Sequence, residues 1–599
     1  MKKNILKNTY ILLLYVNRYS PGYIWVMLFV SITAFTGPYS TVLVPKIIVD
    51  MLIKQSDIRK ILLVIGTMVV ANVVRIVTLT IFEERYKPCQ QMEIEKGINA
   101  LLMDKSRVID LKRYDDPKFR DIYDRAITHA NSGVNSFLDA ITNLVDRFFY
   151  LASVIAIITS LDSCLIIFSL CCMLVLFFFQ RIMTSYAYQT DVLVTRDRRR
   201  AEYSKKLCYG ADYVSDVKIL KLEQIFKNEY LEANGKWQDI VRKRSVFRGV
   251  LRISDETLRF FILNVVTMIY LVVRIQAGHL SVSSFVVLIT ATMQLSYELF
   301  SFVNSLNSFY RLGIYTEDLV NVLECESEVE RIGVGKRLEI IDSLSFVGVS
   351  FAYPQKEQFV LKNVNINIFK GQRIAVVGHN GAGKTTLIRL LLRLYDVCEG
   401  TITVNNENIQ AVELDSYRNQ IGVVFQDYHY YAMTIAENVL MRKVEGNEDE
   451  ELVQWALEKA DLWEYVNGLP EKINTILTRE FNDKGLNMSG GQSQKLALAR
   501  VFAQKNKQML IMDEVSAALD PYSENKINKS VLDFCRDKIL IFISHRLSLM
   551  KEMDYIYYFE HGEVKEQGTH ERLMNENGGY ARMYKLQAEA YGDSATDSQ

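Results

Sequence analysis

Residues 374–386 hold the first group whose types and spacing could do chemistry. Gly378, His379, Asn380, Gly381, Ala382, Gly383, Lys384 and Thr385 fit the pattern G-x-x-x-x-G-K-[ST], with Thr386 directly after it. The apolar run 374–377 reads as a buried strand, and 387–394 reads as a helix. Strand, glycine loop and helix together form a phosphate cradle. The glycines let backbone N–H groups turn inward, and the helix N-terminus adds a positive dipole end. Lys384 would reach the β- and γ-phosphates, and Thr385 would hold Mg²⁺. The chemistry implied is the binding of a nucleoside triphosphate.

Further groups follow at spacings that suit the same chemistry. Tyr353 ends a predicted strand ahead of the loop and could stack on a purine ring. Residues 423–425 read as a strand that delivers Gln426, whose amide could reach the metal or its water. Met488, Ser489, Gly490, Gly491 and Gln492 open a helix expected over 494–504. Ser489 is a natural N-cap there, and the two glycines leave their N–H groups open, so this turn is a second anion cradle. Two cradles in one chain suggest a nucleotide held between two copies. Residues 508–512 form an apolar strand ending in Asp513 and Glu514, suited to the Mg²⁺ shell and to polarising the attacking water. A last strand at 540–543 leads to His545, which could sense the γ-phosphate.

The elements that must position these groups divide the chain in two. At 599 residues, more than one domain is expected. Formal net charge is zero, so no basic surplus points to nucleic acid as a partner. The mean hydropathy of +0.04 is high, and the apolar residues concentrate before about residue 310. The eight cysteines show no C-x-x-C pair or metal spacing, which argues for a reducing compartment. The opening residues carry lysines like a signal peptide, but Lys7 and Asn8 interrupt the apolar run and no small-residue cleavage site follows.

Crossing a bilayer takes about 20 apolar residues. Six windows qualify: 23–49, 61–82, 141–160, 162–180, 259–278 and 282–306. The loops after the second and fourth are long, polar and rich in Lys and Arg, as cytoplasmic loops are. The short loop with Lys54, Arg59 and Lys60 argues weakly the other way. ATP is cytosolic, so the segment after the sixth span must be inside, and six spans then put the N-terminus inside as well. Residues 1–22 are expected to form an amphipathic elbow helix at the inner face. The long loops read as membrane helices that run on into the cytosol and turn back near Tyr114 and Asp115, and near Gly210 and Asp212. The polar residues inside the spans, Asn72, Arg75, Asp146, Arg147, Gln294 and Glu298, are functional candidates or pair between helices; pairing suits Asp146 and Arg147 better, Gln294 and Glu298 could line a cavity, and for Glu298 cavity and pairing stand even. Pro38 and Pro45 are expected to kink the first span.

The motifs in this order resemble an ATP-binding cassette transporter half of the exporter type, over nearly all of the chain. Residues 378–385 resemble the family's Walker A motif, 488–492 its signature and 509–514 Walker B with its glutamate. Tyr353 resembles the adenine-stacking aromatic, Gln426 the Q-loop residue and His545 the switch histidine. The resemblance implies an all-α transmembrane domain (23–325), a linker (326–339) and an α/β P-loop ATPase domain (340–590), with a tail at 591–599. It also implies that Ser489, Gly490, Gly491 and Gln492 serve a nucleotide bound in trans, and that the turns near Tyr114 and Gly210 are coupling helices. Glu480 fits the exporter-type loop that contacts them. Met488 stands where the family usually has leucine, and Ala517 where it usually has serine; neither removes a catalytic group.

The reading is therefore an ATP hydrolase and pump of the plasma membrane, multi-pass, with both termini cytoplasmic, working with Mg²⁺. A homodimer of half-transporters is favoured, since every catalytic group is present, and a heterodimer is the alternative. Membrane lipid and an unidentified transported substrate are the other partners. With no peptidase-sized segment ahead of the first span, a leader-cleaving peptide exporter is disfavoured. Lipids, amphipathic drugs and small peptides stay open as cargo. An importer of the same fold and an ATP-gated channel or sensor are the rival readings.

Overall fold

The computed structural model describes residues 5–162, 164–210, 213–331, 333–354, 356, 358–514, 520–543 and 549–592. The chain forms two compact units. The first comprises Met1–Asp104 with Ile122–Glu324, and the second Lys105–Asp121 with Cys325–Gln599.

The first unit is helical. Four helices are long and apolar enough to cross a membrane: Tyr23–Ile53, Ile58–Ser106, Gly133–Ser160 and Ser284–Phe309. The expected windows at 162–180 and 259–278 instead meet shorter apolar stretches, Leu174–Ala187 and Asn264–Gln276. The count of four is of the described residues alone. The helices do not stop where hydropathy does. Pro117–Leu161 and Leu165–Tyr209 have 45 residues each. At about 1.5 Å per residue that is roughly 68 Å, over twice the ~30 Å hydrocarbon core. The apolar helix Ile58–Ile81 buries no residue. This is tolerable in lipid, where an apolar side chain gains nothing by leaving its surroundings.

The proline positions show how the first span bends. Pro38 ends a three-residue helical piece, and a π-turn over Tyr39–Leu43 follows it. Pro45 sits in the first turn of the next piece, Val44–Ile53, directly after that π-turn. Ahead of the span, the helix Ile5–Tyr19 turns at Gly22, whose φ of +95° suits a residue without Cβ.

Polar residues in the spans pair across helices. Arg147 donates to Glu298 at 2.7 Å, and Glu298 is 4% exposed. Thr41 donates to the Gln294 oxygen at 2.9 Å, while the Gln294 amide donates to the Tyr150 hydroxyl. Glu298 is therefore held in an ion pair. Arg75 forms no ion pair among the described residues; it lies with Tyr150 against Gly37, where a Cβ would come within 2.8 Å of its Nη1.

The second unit carries two sheets. Strands β1 (Ser343–Phe351), β2 (Leu361–Phe369), β4 (Glu399–Val404) and β5 (Glu407–Asn408) form an antiparallel sheet in the order β2-β1-β4-β5. Strands β3 (Arg373–Gly378), β6 (Ile421–Val424), β7 (Met509–Asp513), β8 (Ile539–Ile543), β9 (Tyr555–Glu560) and β10 (Glu563–Gly568) form the other, in the order β10-β9-β3-β8-β7-β6. Pairing is parallel from β9 through β6. β7 and β8 are buried throughout, as a strand covered on both faces must be.

A segment from far upstream is built into this unit. Asp110 is fully buried; the Ser327 hydroxyl and the backbone N–H groups of Glu328, Val329 and Glu330 all donate to its carboxylate, the last three at 2.9–3.0 Å. Burial pushes its pKa up, but these four donors outweigh burial and hold it below the usual carboxylate range. Around it, Tyr395 donates to Asp115 at 2.5 Å, Arg113 donates to the Glu326 carbonyl at 2.9 Å, and Arg107 pairs with Asp415 at 3.1 Å. The turn at Tyr114 and Asp115 thus belongs to the second unit. Gly210 ends the helix Leu165–Tyr209 in the first unit, ahead of the short helix Val214–Ile219, and Asp212 lies outside the described residues.

Asp110→Asn would turn an amide toward N–H donors. Amide exchange across 105–121 is expected to rise by about 10- to 100-fold at neutral pH. Because the folded pKa is depressed, the contribution is complete above the unfolded value of about 4 and is lost as pH falls through the folded one. The difference between the two proteins should therefore vanish only in strong acid, as read by exchange at stepped pH.

Candidate functional site

Parallel strands side by side end at one edge of the sheet. β3, β8, β7 and β6 are consecutive neighbours, about 4.8 Å apart. Their C-terminal ends deliver Gly378, Ile543, Asp513 and Val424. Clefts at that end of an open α/β sheet are where ligands bind.

The glycine loop leaves β3 under tight constraint. Gly378 has φ +152°, and a Cβ there would lie 2.2 Å from the Phe559 carbonyl oxygen. Gly383, at φ +102°, opens the helix Lys384–Leu391. His379, Asn380, Gly381 and Thr385 are exposed, whereas Ala382, Lys384 and Thr386 are buried. The Lys384 ammonium lies back along the loop, donating to the Gly378 carbonyl at 2.7 Å and the His379 carbonyl at 3.1 Å. Burial lowers its pKa, against the pull of Glu514 and Asp513. Tyr353 is next to the same helix: its hydroxyl lies 3.0 Å from that of Thr386, and the Arg389 guanidinium sits 5.6 Å from its ring centre.

At the end of β7 Asp513 is 3% exposed. Burial first, and then the charge of Glu514, push its pKa up to about 6. Glu514 takes φ +52°, which a non-glycine residue adopts at a cost of order 1 kcal/mol or more. Its N–H donates to Ile543 of β8 at 2.9 Å, and its Oε2 accepts from the Gln426 amide at 3.0 Å. So Gln426, Asp513 and Glu514 are brought together. His545 and Ala517 lie outside the described residues.

A divalent cation suits this edge. Thr385 offers a hydroxyl, Asp513 a carboxylate and Gln426 an amide oxygen, all hard donors. A buried carboxylate beside a second one is stabilised by a cation, and no cluster of three His, Cys, Asp or Glu competes for one among the described residues. When bound, Mg²⁺ would supply charge neutralisation between phosphate oxygens. This chain's own residues would hold and aim it.

The second cradle has its own cap. Ser489 accepts from Gln492 N–H, and Gln492 returns a bond to Ser489 N–H, a capping box. That box starts the helix at Gly490 and runs it to Phe502, four residues earlier than the apolar pattern alone had indicated. Ser489 and Gly490 are exposed, and Met488 is buried in the core below them. The sequence reading missed Tyr428, whose hydroxyl donates to the Gly490 carbonyl at 2.9 Å. It also missed Asp110, whose partners lie 217–220 residues away. A local pattern carries no signal for either.

Lys384→Ala is expected to weaken ATP binding by about 10- to 100-fold, the worth of a charged hydrogen bond, as read by equilibrium binding of labelled ATP. Unchanged affinity would remove Lys384 from the site. Gly378→Ala should lower Tm by on the order of 5 °C or more in a thermal scan, because the Phe559 backbone cannot give way.

Comparison with known proteins agrees with this geometry. A family model described as ABC transporter matches residues 361–517. The chain is 30% identical over 507 residues to the subtilin transport ATP-binding protein SpaT of Bacillus subtilis, covering 84% of this chain and 81% of that one. It is 34% identical over 313 residues to an ATP-dependent lipid A-core flippase of Haemophilus influenzae, 52% of each chain. A bacterial Atm1-family ABC exporter solved with ATP bound superposes with a TM-score of 0.80 at 23% identity, over 96% of this chain and 98% of that one. The chain belongs to the ABC transporter family, and its fold is that of an exporter, a helical membrane-type domain followed by an α/β ATPase domain.

Proposed function

We propose that this chain is one half of an ATP-driven exporter and hydrolyses ATP to move an amphipathic lipid, drug-like or peptide cargo out across the plasma membrane. The observation that carries the reading is the shared edge of β3, β8, β7 and β6, where the glycine loop, Asp513, Glu514 and Gln426 meet. Relatives named for subtilin transport and lipid A flipping support export over import.

In this reading the loop amides and Lys384 grip the phosphates, and Tyr353 meets the adenine. Thr385, Gln426 and Asp513 hold Mg²⁺. Glu514 takes the proton of the attacking water, and His545 contacts the γ-phosphate. Ser489, Gly490, Gly491 and Gln492 face the nucleotide of a second copy, so two sites form head to tail in a homodimer. Both termini are cytoplasmic. The turns at Tyr114 and Asp115, and at Gly210 and Asp212, carry closure to the membrane helices, where breaking the Arg147–Glu298 pair would let Gln294 and Glu298 face a cavity. The burial of Asp110 and the Tyr395–Asp115 bond support the first of these turns as a fixed lever.

Inside-out vesicles loaded with the chain test the reading. ATP should drive accumulation of a fluorescent amphipathic tracer against its gradient, and Glu514→Gln should stop it. A tracer that passes only down its gradient, with ATP bound and Glu514→Gln present, would make the protein a channel. ATP-driven loss of tracer from such vesicles would make it an importer.

A further inference from the structure

Tyr428 lies two residues after Gln426, on the strap that leaves β6. The strap is fastened to the helix Gly490–Phe502 at both ends. At the N-terminal end the Tyr428 hydroxyl donates to the Gly490 carbonyl at 2.9 Å. At the C-terminal end Arg500 donates to the His429 carbonyl at 3.2 Å and to the Asn438 carbonyl at 3.0 Å, with its guanidinium 5.7 Å from the Tyr431 ring centre. The Tyr428 ring packs against the core that this helix helps to form. Burial raises its pKa, so the hydroxyl keeps its proton and stays a donor.

The bonded atom matters. The Gly490 carbonyl and the Gly491 N–H belong to one planar peptide group. Pinning the carbonyl fixes the direction of that N–H, one of the open donors of the second cradle. At its other end the strap begins at Gln426, which holds Glu514 at 3.0 Å.

We propose that Tyr428 is a positioning residue that aims the Gly491 N–H at the nucleotide of the partner copy and ties its aim to the state of the Gln426–Glu514 contact in its own copy. The inference rests on the head-to-tail reading above. It gives the two sites a short covalent line of communication, the three residues from Gln426 to Tyr428, with the strap hydrogen-bonded to each end of the helix.

Tyr428→Phe removes one hydroxyl and keeps the ring. The maximal hydrolysis rate of the full chain in lipid is expected to fall about tenfold, the worth of one well-placed hydrogen bond. Binding of labelled ATP with Mg²⁺ chelated should stay within about twofold, and Tm within about 2 °C, since the nucleotide's own loop and the core are untouched. A rate within twofold of the unaltered protein would overturn the proposal. So would a parallel loss of rate and binding, which would place the effect in the residue's own phosphate loop. Ser489→Arg, measured alongside, separates the two layers. If it is inactive while Tyr428→Phe is normal, the relay fails and the head-to-tail reading stands. If Ser489→Arg hydrolyses ATP normally, that reading fails and the relay with it.

Discussion

Parallel pairing of β3 with β8, β8 with β7 and β7 with β6 fixes where this chain can do chemistry. Each strand is largely buried on both faces, so a one-residue slip would swap the side chains packed on one face for those packed on the other. Their shared direction brings a glycine loop, a carboxylate pair and an amide to one edge, though these lie up to 136 residues apart in sequence (Gly378 to Glu514). The strain at Glu514 sits at that edge, where the rest of the sheet can sustain it. Asp513 lies there too, where burial and the charge of Glu514 push its pKa up to about 6.

The buried Asp110 carboxylate gathers four donors and locks residues 105–121 into the ATPase unit. The long helices, by contrast, are continuous rods that need no lock, because a helix satisfies its own backbone in lipid and in water alike. Ion pairs such as Arg147–Glu298 then hold rods to one another where the bilayer offers no hydrophobic drive.

Much of the site was legible in the sequence, because backbone geometry dictates residue type there. A loop at φ +152° and +102° needs glycine at 378 and 383, and a helix that starts at Gly490 needs a cap like Ser489. The membrane half was less legible. Hydropathy marks where a helix meets lipid, not where it ends, so the windows do not give the lengths of helices such as Leu165–Tyr209, which runs 45 residues. Glu298 read equally well as cavity or partner, and only the facing helix shows that it pairs with Arg147. Asp110 and Tyr428 were invisible for a shared reason: each owes its role to a backbone group on a distant element, and backbone groups leave no mark in sequence.

The proposed function requires that the residues gathered at this edge make the chain a complete ATPase when two copies meet. Steady-state ATP hydrolysis by the purified chain in lipid, beside its Glu514→Gln variant, tests it most directly. Turnover is expected in the unaltered chain and none in the variant, with ATP still bound. Equal turnover in both would contradict it.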